Sequence, residues 1–347
     1  MHFHYRNTND AFRGLVAAID QGHIPTRRTP SRVGEVLQVE EPVAVTYSHP
    51  RERVLFNEAR DANPFFHLFE SLWMLVGRND VGPLLRYNSK IADVASDDGR
   101  TFNGAYGERW WRYYAGGYQQ IRVLIDHLRN NPSSRRAVLQ MWNVEDDLLR
   151  IDTTKDACCN THVYFSIRCS VNNPDPRELR YLDMTVCNRS NDLVWGMLGA
   201  NVVHFSFLQE YMATCIGVEV GLYHQFTNNL HVYTERFKPT EWLADLNWRT
   251  DYPPSLALVS DPAVFDSEVV QFIDNRDWTR RWQELFLDCV AAPMCWAYEL
   301  HKRRDYERSL DVVGLIASED WRIASFNWIT KRHQSWKGKD GMATSTD

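Results

Sequence analysis

The chain has 347 residues, of which 44% are hydrophobic and 24% are charged, a balance typical of globular proteins with room for one large core or two modest ones. This composition excludes disordered, collagen-like and membrane-embedded classes, and a net charge of −6 gives no electrostatic support for coating nucleic acid. Because no apolar run approaches the roughly 18 residues of a membrane span and the first residues lack a secretory signal, we expect a cytoplasmic protein with no membrane or nucleic-acid partner.

The predicted elements follow one another without an internal repeat. Asn63 and Pro64 precede an apolar pattern that stops at Gly77, which predicts a helix with a polar cap, a proline in its first turn and a glycine stop. Strands are predicted at 137–142, 163–169 and 182–187, the last two joined by a turn at 172–177, and further helices at 202–217, 278–303 and 306–317.

This order of elements predicts an α+β fold with one principal mixed sheet covered by helices. We place a single catalytic domain at residues 1–336, because no linker-like stretch divides it. The polar residues 337–347 predict a flexible tail.

The seven cysteines stand at positions 158, 159, 169, 187, 215, 289 and 295. Their odd number, wide spread and lack of a Cys-x-x-Cys pair argue against a disulfide framework and a zinc site, so we expect free thiols and no metal. Cys159 lies just before a predicted strand, where a thiol is either a nucleophile or, more commonly, a small buried apolar side chain. Its position alone does not decide between the two.

Three polar motifs flank the predicted strands. Arg135 and Arg136 form a fork that suits a phosphate, although adjacent arginines are more often a solvated surface pair. The Asn-Arg-Ser-Asn-Asp sequence at 188–192 indicates either a binding site or a capped strand-to-helix loop. If their segment is extended, His231 and Tyr233 share one face, where both could bond a sugar hydroxyl, although a pair of this kind is more often structural.

Taken in order, these motifs resemble those of the folate-dependent thymidylate synthases and their pyrimidine-nucleotide hydroxymethylase relatives. The matching residues are Glu70 with Leu72-Trp73, Asn103-Gly-Ala-Tyr106-Gly107 with Trp110, Ser134-Arg135-Arg136, Cys159, Arg189-Ser190-Asn191-Asp192, Gly196, Asn201 and His231-Val-Tyr233. Nothing in the chain resembles the signature of the flavin-dependent synthases. The resemblance implies a thymidylate-synthase-like fold that dimerises through its sheet.

The resemblance also implies a catalytic role for four residues. Cys159 corresponds to the thiolate that adds to carbon 6 of a pyrimidine, so that carbon 5 can attack the one-carbon unit of the co-substrate 5,10-methylenetetrahydrofolate. Arg189 is expected to lower the pKa of that thiol. Glu70 corresponds to the general acid and base that relays protons through water, and Tyr106 belongs to the same proton-relay wall.

The family's phosphate clamp is built from two chains. Arg189 and Ser190 correspond to its residues in one subunit, and the partner subunit's Arg135 and the partner subunit's Arg136 complete it. Arg32 is a weaker candidate for the same clamp. A shared site of this kind implies an obligate symmetric homodimer.

The remaining assignments concern the base, the sugar and the folate. Asn201 corresponds to the amide that binds the base, and His231 with Tyr233 to contacts with the sugar 3′-hydroxyl. Asp192 corresponds to a carboxylate that faces the folate pterin and also takes part in catalysis, and Gly196 lies beside it in the cofactor-binding segment.

Departures from the synthase pattern bear on the product. Asn160 follows the nucleophile where synthases usually have His, Tyr164 stands where they usually have Gln, and Ala92 falls where many have Trp. The polar end of the chain also lacks the apolar carboxyl terminus that closes the synthase site. Because a closed, dry site favours hydride transfer and a methyl product, an opened one favours addition of water, and we expect a 5-hydroxymethyl nucleotide.

Alternatives stay open at this point. A thymidylate synthase would make dTMP from dUMP with the same residues, and a non-catalytic nucleotide-binding or regulatory protein would keep the fold without turnover. Asn201 lies one residue further past Gly196 than the family's amide does, which requires a one-residue insertion. Its carboxamide serves uracil or, when flipped, cytosine, so dUMP and dCMP are both possible and a ribose is not excluded.

Overall fold

Two sheets organise the described part of the chain, which in this computed structural model comprises residues 1–94, 98–111, 119–154, 156–169, 180–245 and 252–343, with the backbone alone at 94 and 337–343. The strands are β1 (His2–Tyr5), β2 (Thr26–Ser31), β3 (Gly34–Val39), β4 (Val43–Tyr47), β5 (Val138–Gln140), β6 (Asn160–Cys169), β7 (Arg180–Asn188), β8 (Asn191–Asp192), β9 (Glu219–Thr227) and β10 (Leu230–Tyr233). The larger sheet has the order β1-β4-β9-β7-β6-β5 and the smaller one β2-β3-β10-β8. The larger sheet is the predicted principal sheet, and the smaller one was not predicted.

Helices pack on the larger sheet and on one another. They are α1 (Thr8–Asp20), α2 (Pro64–Leu75), α3 (Tyr106–Trp111), α4 (Gln120–Asn130), α5 (Asn201–Ile216), α6 (Pro239–Leu243), α7 (Pro262–Asp274), α8 (Ala292–Lys302), α9 (Tyr306–Val313) and α10 (Glu319–Ala343), with short 3₁₀ segments at Leu84–Arg86, Ser89–Val94 and Thr234–Arg236 and π-helical segments at Val144–Leu148, Leu193–Ala200 and Leu287–Ala291. Helix α5 is buried along most of its length and packs on β7, β9 and α2, so it forms the centre of the core.

Helix α2 forms where the sequence predicted it. The Asn63 side chain accepts hydrogen bonds from the backbone N–H groups of Phe65 (3.1 Å) and Phe66 (3.2 Å), which satisfies donors that the first turn leaves without partners. Pro64 begins the helix, where no backbone N–H is required. Gly77 has a φ of 73°, a left-handed conformation that favours glycine after a helix.

The helix predicted at 278–303 is wrong in its first part, because residues 278–284 are not helical. In this stretch the rings of Trp278 and Trp282 pack on Phe272, with centroids 5.7 and 5.3 Å away. The Asp288 side chain accepts a hydrogen bond from the backbone N–H of Trp282 (2.9 Å). Burial of the two indoles therefore outweighs the amphipathic pattern, whereas α8 and α9 confirm the rest of the prediction.

The last helix was not predicted. Helix α10 continues to Ala343, so the backbone at 337–343, which the sequence assigned to a tail, is helical. Its first half buries Trp321 and Trp328. The polar second half continues the helix because helical hydrogen bonds satisfy the backbone locally. A domain boundary at 336 stays a prediction, and the turn predicted at 172–177 lies outside the described residues.

The second face of the larger sheet points outward. One row of side chains crosses all six strands in register, namely Val138, Tyr164, Thr185, His224, Thr46 and His4. Val138 and Tyr164 are 40% and 45% exposed, and Phe226 on the same face is 40% exposed. These side chains leave apolar area on a sheet face that another surface could cover. In the described residues, no helix combines the length and apolarity of a membrane span.

A buried ion pair holds the start of α3 against the end of β5. The Arg109 guanidinium donates hydrogen bonds to Asp147 Oδ1 (2.9 Å) and to the carbonyls of Met141 (2.6 Å) and Asn103 (2.8 Å). The side chains of Arg109 and Asp147 are both 0% exposed. The pair therefore fixes the position of the helix that begins with Tyr106.

We expect Asp147→Ala to lower the free energy of unfolding by about 3–5 kcal/mol, because it removes a buried carboxylate that is hydrogen-bonded to the buried Arg109 guanidinium. Denaturant unfolding monitored by fluorescence measures this change. The matched control is Glu145→Ala, at an exposed position of the same turn, for which we expect a change within about 0.5 kcal/mol. Equal effects of the two substitutions would show that the pair contributes nothing specific.

Candidate active site

Cys159 and Arg189 meet where β6 begins and β7 ends. The strands are antiparallel, and the backbone N–H of Arg189 donates to the carbonyl of Cys159 (3.0 Å). The Arg189 guanidinium also donates to the carbonyls of Ala157 (3.0 Å) and Cys158 (2.9 Å). These bonds hold its Nη2 at 3.9 Å from Cys159 Sγ, so the structure brings the predicted nucleophile and its cation together.

Burial and charge act in opposite directions on the thiol. Burial raises the pKa of Cys159, the Arg189 guanidinium lowers it, and the net direction is upward. The predicted effect of Arg189 on the thiol is therefore present, but burial of the sulfur outweighs it. Burial raises the pKa of the adjacent Cys158 to about 12, and Cys158 lacks the direct contact with Arg189 Nη2 that Cys159 has.

The Asn103–Gly107 motif packs beside the segment that leads to Cys159. The backbone N–H of Gly104 donates to Asp156 Oδ2 (2.8 Å), and Asn103 Nδ2 donates to the carbonyl of Asp156 (3.2 Å). A Cβ on residue 104 would lie 2.8 Å from Asp156 Oδ1 and 3.1 Å from the backbone nitrogen of Cys158. This close approach requires glycine, and it ties the start of α3 to the nucleophile's segment.

Tyr106 is buried near enough to Cys159 and to Glu70 for their charges to act on it. Burial, followed by neighbours that include Cys159 and Glu70, raises the pKa of Tyr106 well above its usual range. Glu70 on α2 is 9% exposed, and its Oε2 lies 3.0 Å from Nε2 of His204 on α5. The residues predicted to relay protons therefore share one neighbourhood with the predicted nucleophile.

Asn201 ends a chain of three buried amides. Gln225 Nε2 donates to the carbonyl of Met197 (3.0 Å), Asn191 Nδ2 donates to Gln225 Oε1 (3.1 Å), and Asn201 Nδ2 donates to Asn191 Oδ1 (3.0 Å). We call these three residues the amide chain. The carbonyl of Met197 can only accept a hydrogen bond, so the Gln225 amide must point its Nε2 at that carbonyl and its oxygen at Asn191. The orientation of Gln225 then fixes that of Asn191, and Asn191 in turn fixes that of Asn201. Within the described residues, Asn201 keeps its oxygen and one N–H for a ligand.

The backbone accommodates the one-residue insertion expected before Asn201. Residues Leu193–Ala200 form a π-helical segment, whose turn is wider than an α-helical turn and takes one more residue. Within it, Gly199 has non-helical angles (φ −118°, ψ −109°). A Cβ on Gly196 would overlap Asn191 Oδ1, so glycine at this position leaves room for the amide chain.

Asp192 caps this π-helical segment. Its Oδ1 accepts hydrogen bonds from the backbone N–H groups of Val194 (2.9 Å) and Trp195 (2.6 Å). Burial raises the pKa of Asp192, although these N–H groups, His231 and Arg60 oppose that effect. The capped loop that the sequence left open as an alternative is therefore present, and contact between Asp192 and a folate stays a prediction.

A cavity of about 260 Å³ opens beside Asp192, and its lining includes Arg60, Trp195 and Arg236. Trp195 is 44% exposed, and the Arg236 guanidinium lies 4.1 Å from its ring centroid. An exposed aromatic face, a carboxylate and two guanidiniums suit a flat heterocycle that carries carboxylates.

His231 and Tyr233 lie on β10, which confirms the extended segment predicted for them. Their ring centroids are 5.7 Å apart. Strand β10 runs parallel to β8 and pairs His231 with Asp192, and Ser190 immediately precedes β8. The residues predicted to bind the sugar and the phosphate therefore lie around one short strand.

Arg135 and Arg136 do not reach this site within one chain. Strand β5 is antiparallel to β6 and places Arg136 level with Ser166, whereas Cys159 precedes the opposite end of β6. The separation of seven residues corresponds to roughly 23 Å along the strand. Both arginines are exposed. Arg32 is exposed at the tip of the β2–β3 hairpin.

Comparison with known proteins defines the class. The family model described as "Thymidylate synthase" matches residues 60–275, and the chain belongs to the thymidylate synthase family. The resemblance inferred from the motifs is thereby confirmed. The chain is a folate-dependent enzyme that transfers a one-carbon unit to carbon 5 of a pyrimidine nucleotide.

Three relatives share one name. The deoxyuridylate hydroxymethyltransferase of Pseudomonas phage M6 is 38% identical over 353 residues, which cover 97% of this chain and 96% of that protein. The protein of the same name from Bacillus phage SP01 is 41% identical over 226 residues, covering 61% of this chain and 56% of its own. That of Delftia phage PhiW-14 is 28% identical over 192 residues, covering 53% of this chain and 50% of its own.

His204, Gln225 and Arg60 lie at the site, although the sequence did not single them out. The sequence offered one indication for His204. It follows Asn201 by three residues on a helix, so the two side chains share a helix face. Gln225 stands in an ordinary strand and Arg60 in a loop, and no local pattern marks either of them.

Proposed function

We propose that this protein converts dUMP, 5,10-methylenetetrahydrofolate and water into 5-hydroxymethyl-dUMP and tetrahydrofolate. The observation that carries the proposal is the approach of Arg189 Nη2 to Cys159 Sγ at 3.9 Å. A thiol beside a guanidinium is what covalent attack on a pyrimidine needs. The choice of product and base is supported by the relative from Pseudomonas phage M6, which matches this chain over 97% of its length.

The chemistry starts at the sulfur. The Cys159 thiolate adds to carbon 6, and the electron pair of the C5=C6 bond then attacks the one-carbon unit that the folate supplies. Glu70 and Tyr106 move the proton of carbon 5 through water. After the folate amine leaves, an exocyclic methylene remains on carbon 5. Water adds to that methylene, and expulsion of Cys159 restores the C5=C6 bond and gives the hydroxymethyl product.

The amide chain supports selection of one base. Uracil presents N3–H and O4 on the edge where cytosine presents N3 and N4–H, so the two bases need opposite orientations of an amide. Gln225 and Asn191 fix the amide of Asn201 in one orientation. The enzyme therefore serves one base well, and the name shared by the three relatives favours uracil.

The cavity beside Asp192 fits the folate. In this proposal the Trp195 ring stacks on the flat part of the co-substrate, Asp192 faces its pterin, and Arg60 with Arg236 attracts its carboxylates. Gly196 leaves space beside this cavity.

A homodimer completes the phosphate site. Arg189 and Ser190 bind the nucleotide phosphate in one subunit, and the partner subunit's Arg135 and the partner subunit's Arg136 complete the clamp. The roughly 23 Å between Cys159 and the arginines of its own chain supports this arrangement. The outward sheet face, with Tyr164 and Phe226 exposed, is the surface that we assign to the second copy.

Mixed dimers test the shared site. Cys159→Ala and Arg136→Glu each inactivate a homodimer in this proposal, but a mixed dimer keeps one intact site. After unfolding and refolding the two variants together, we expect about a quarter of the wild-type activity, because half of the randomly paired dimers carry one working site of two. As a control, each variant is unfolded and refolded alone and should stay inactive. An inactive mixture of the two variants would contradict a site shared between chains.

Product analysis tests the function. The purified protein is incubated with methylenetetrahydrofolate and either dUMP or dCMP, and the nucleotides are weighed by mass spectrometry. We expect dUMP to gain the mass of one formaldehyde unit with no absorbance change from dihydrofolate, and dCMP to stay largely unchanged. A gain of one methylene with dihydrofolate formation identifies a thymidylate synthase, and an unchanged nucleotide identifies a non-catalytic binder.

A further inference from the structure

The close contact of Glu70 and His204 lies between two helices of the core. Glu70 projects from α2 and His204 from α5, and these residues are 9% and 2% exposed. Glu70 Oε2 lies 3.0 Å from His204 Nε2. Two titratable groups at this distance can share one proton, which then belongs to the pair and to neither residue alone.

Both ring nitrogens of His204 are buried. Within the described residues, neither of its buried ring nitrogens makes an aligned hydrogen bond. Buried polar groups of proteins nearly always have a partner, and an exception calls for an explanation such as a bound water or a catalytic role. The ring is therefore placed to take up a proton that reaches Glu70.

Two other titratable side chains, His67 and Tyr106, lie near Glu70 and His204. His67, one turn before Glu70 on α2, stays neutral because burial, followed by His204 and Arg60, lowers its pKa to about 3. Tyr106 holds its proton, since burial and its acidic neighbours raise its pKa well above the usual range. The titratable side chain that contacts Glu70 directly is His204, at 3.0 Å.

We propose that His204 is a positioning residue for the water-addition step, taking from Glu70 the proton of the water that attacks the exocyclic methylene. This inference rests on the proposed function. The water oxygen bonds to the methylene carbon, and the methylene electron pair moves through carbon 5 and carbon 4 onto O4. The water proton passes to Glu70 and is shared with His204. The enolate then collapses, the C5=C6 bond forms, and the electron pair of the C6–S bond leaves with Cys159.

The role proposed for His204 concerns the late addition of water and not the early loss of hydrogen from carbon 5. Carbon 5 loses its hydrogen before the folate amine leaves, whereas water adds afterwards. Release of tritium from dUMP labelled at carbon 5 measures the first event, and hydroxymethyl product measures the second. A residue that acts on water addition should change the second rate more than the first.

The test variant is His204→Gln, whose side-chain amide can still meet Glu70 but cannot store a proton. We expect its product formation to fall by about 10- to 100-fold, which is part of the roughly 10²- to 10⁴-fold effect of a complete general base. Tritium release should fall by less than about 3-fold. We also expect the pH profile of product formation to differ between His204→Gln and the wild type, because the variant lacks an imidazole beside Glu70.

The matched control is His301→Gln, which removes a part-buried imidazole. The His301 ring packs on Trp328, with ring centroids 5.1 Å apart. This variant should leave both rates and the pH profile unchanged. A second measurement needs only the wild type, in which the excess of tritium release over product should grow as the pH falls. Parallel loss of both rates in His204→Gln, an unchanged pH profile, or a constant wild-type ratio overturns the inference. Absence of hydroxymethyl product from the wild type overturns the proposed function instead.

Discussion

Replacing Cys159 by Ala is expected to abolish product formation, with a loss of about 10⁴-fold or more, the scale seen when an enzyme loses its nucleophile. Without the sulfur, carbon 6 receives no electron pair and carbon 5 stays a poor nucleophile. The remaining binding groups are untouched, so we expect dUMP to bind within a few-fold of the wild-type affinity. Steady-state product formation and calorimetric titration with dUMP measure the two effects.

The adjacent thiol provides the matched control. Cys158 is 1% exposed, and its Sγ donates to the carbonyl of Asn160 (3.1 Å), so it packs in the core and does not face a substrate. Cys158→Ser should keep activity within a few-fold. Turnover at the wild-type rate by Cys159→Ala, or complete loss in a folded Cys158→Ser, contradicts the assignment of the nucleophile.

Replacing Glu70 by Gln is expected to lower kcat by about 10²- to 10⁴-fold, the usual contribution of a general acid or base. The amide keeps the size of the side chain but cannot take up a proton from carbon 5 or from water. Both tritium release and product formation should therefore fall, unlike the separated effects expected for His204→Gln. The KM for dUMP should change little, because the phosphate and base contacts are elsewhere.

Ser71→Ala controls for disturbance of α2, since the Ser71 hydroxyl bonds only to the carbonyl of His67 (2.7 Å) among the described residues. We expect this variant to retain near-normal kcat. A Glu70→Gln enzyme within about 3-fold of the wild type would place the proton relay on another residue.

The sequence predicted the parts of the fold that depend on local chemistry. The cap at Asn63 and the stop at Gly77 bound α2 because both act on the backbone next to them. The alternation of Val163 and Phe165 with polar residues placed β6 correctly, since one face of that strand is buried. Helix α10 was missed because its polar second half has no apolar pattern to reveal it.

The candidate site was likewise predictable only in part. Motif residues such as Cys159 and Arg189 could be assigned because a resemblance gave each a partner, and the ladder between β6 and β7 then explains their meeting. The pair of Glu70 and His204 depends on how α2 crosses α5, and no spacing along the chain encodes that contact. The raised pKa of Cys159 also escaped prediction, since burial of the sulfur is a property of the whole fold.

The most direct test of the account is whether the sulfur of Cys159 bonds to the pyrimidine. 5-Fluoro-dUMP carries fluorine where carbon 5 must lose a proton, and because fluorine cannot leave as a cation, the reaction should stop at a covalent adduct. After incubation with methylenetetrahydrofolate, denaturation and proteolysis, mass spectrometry should find nucleotide and folate attached to the peptide that contains Cys159 and Cys158, with fragmentation placing them on Cys159. An adduct on Cys158, or a protein of unmodified mass, would contradict the account.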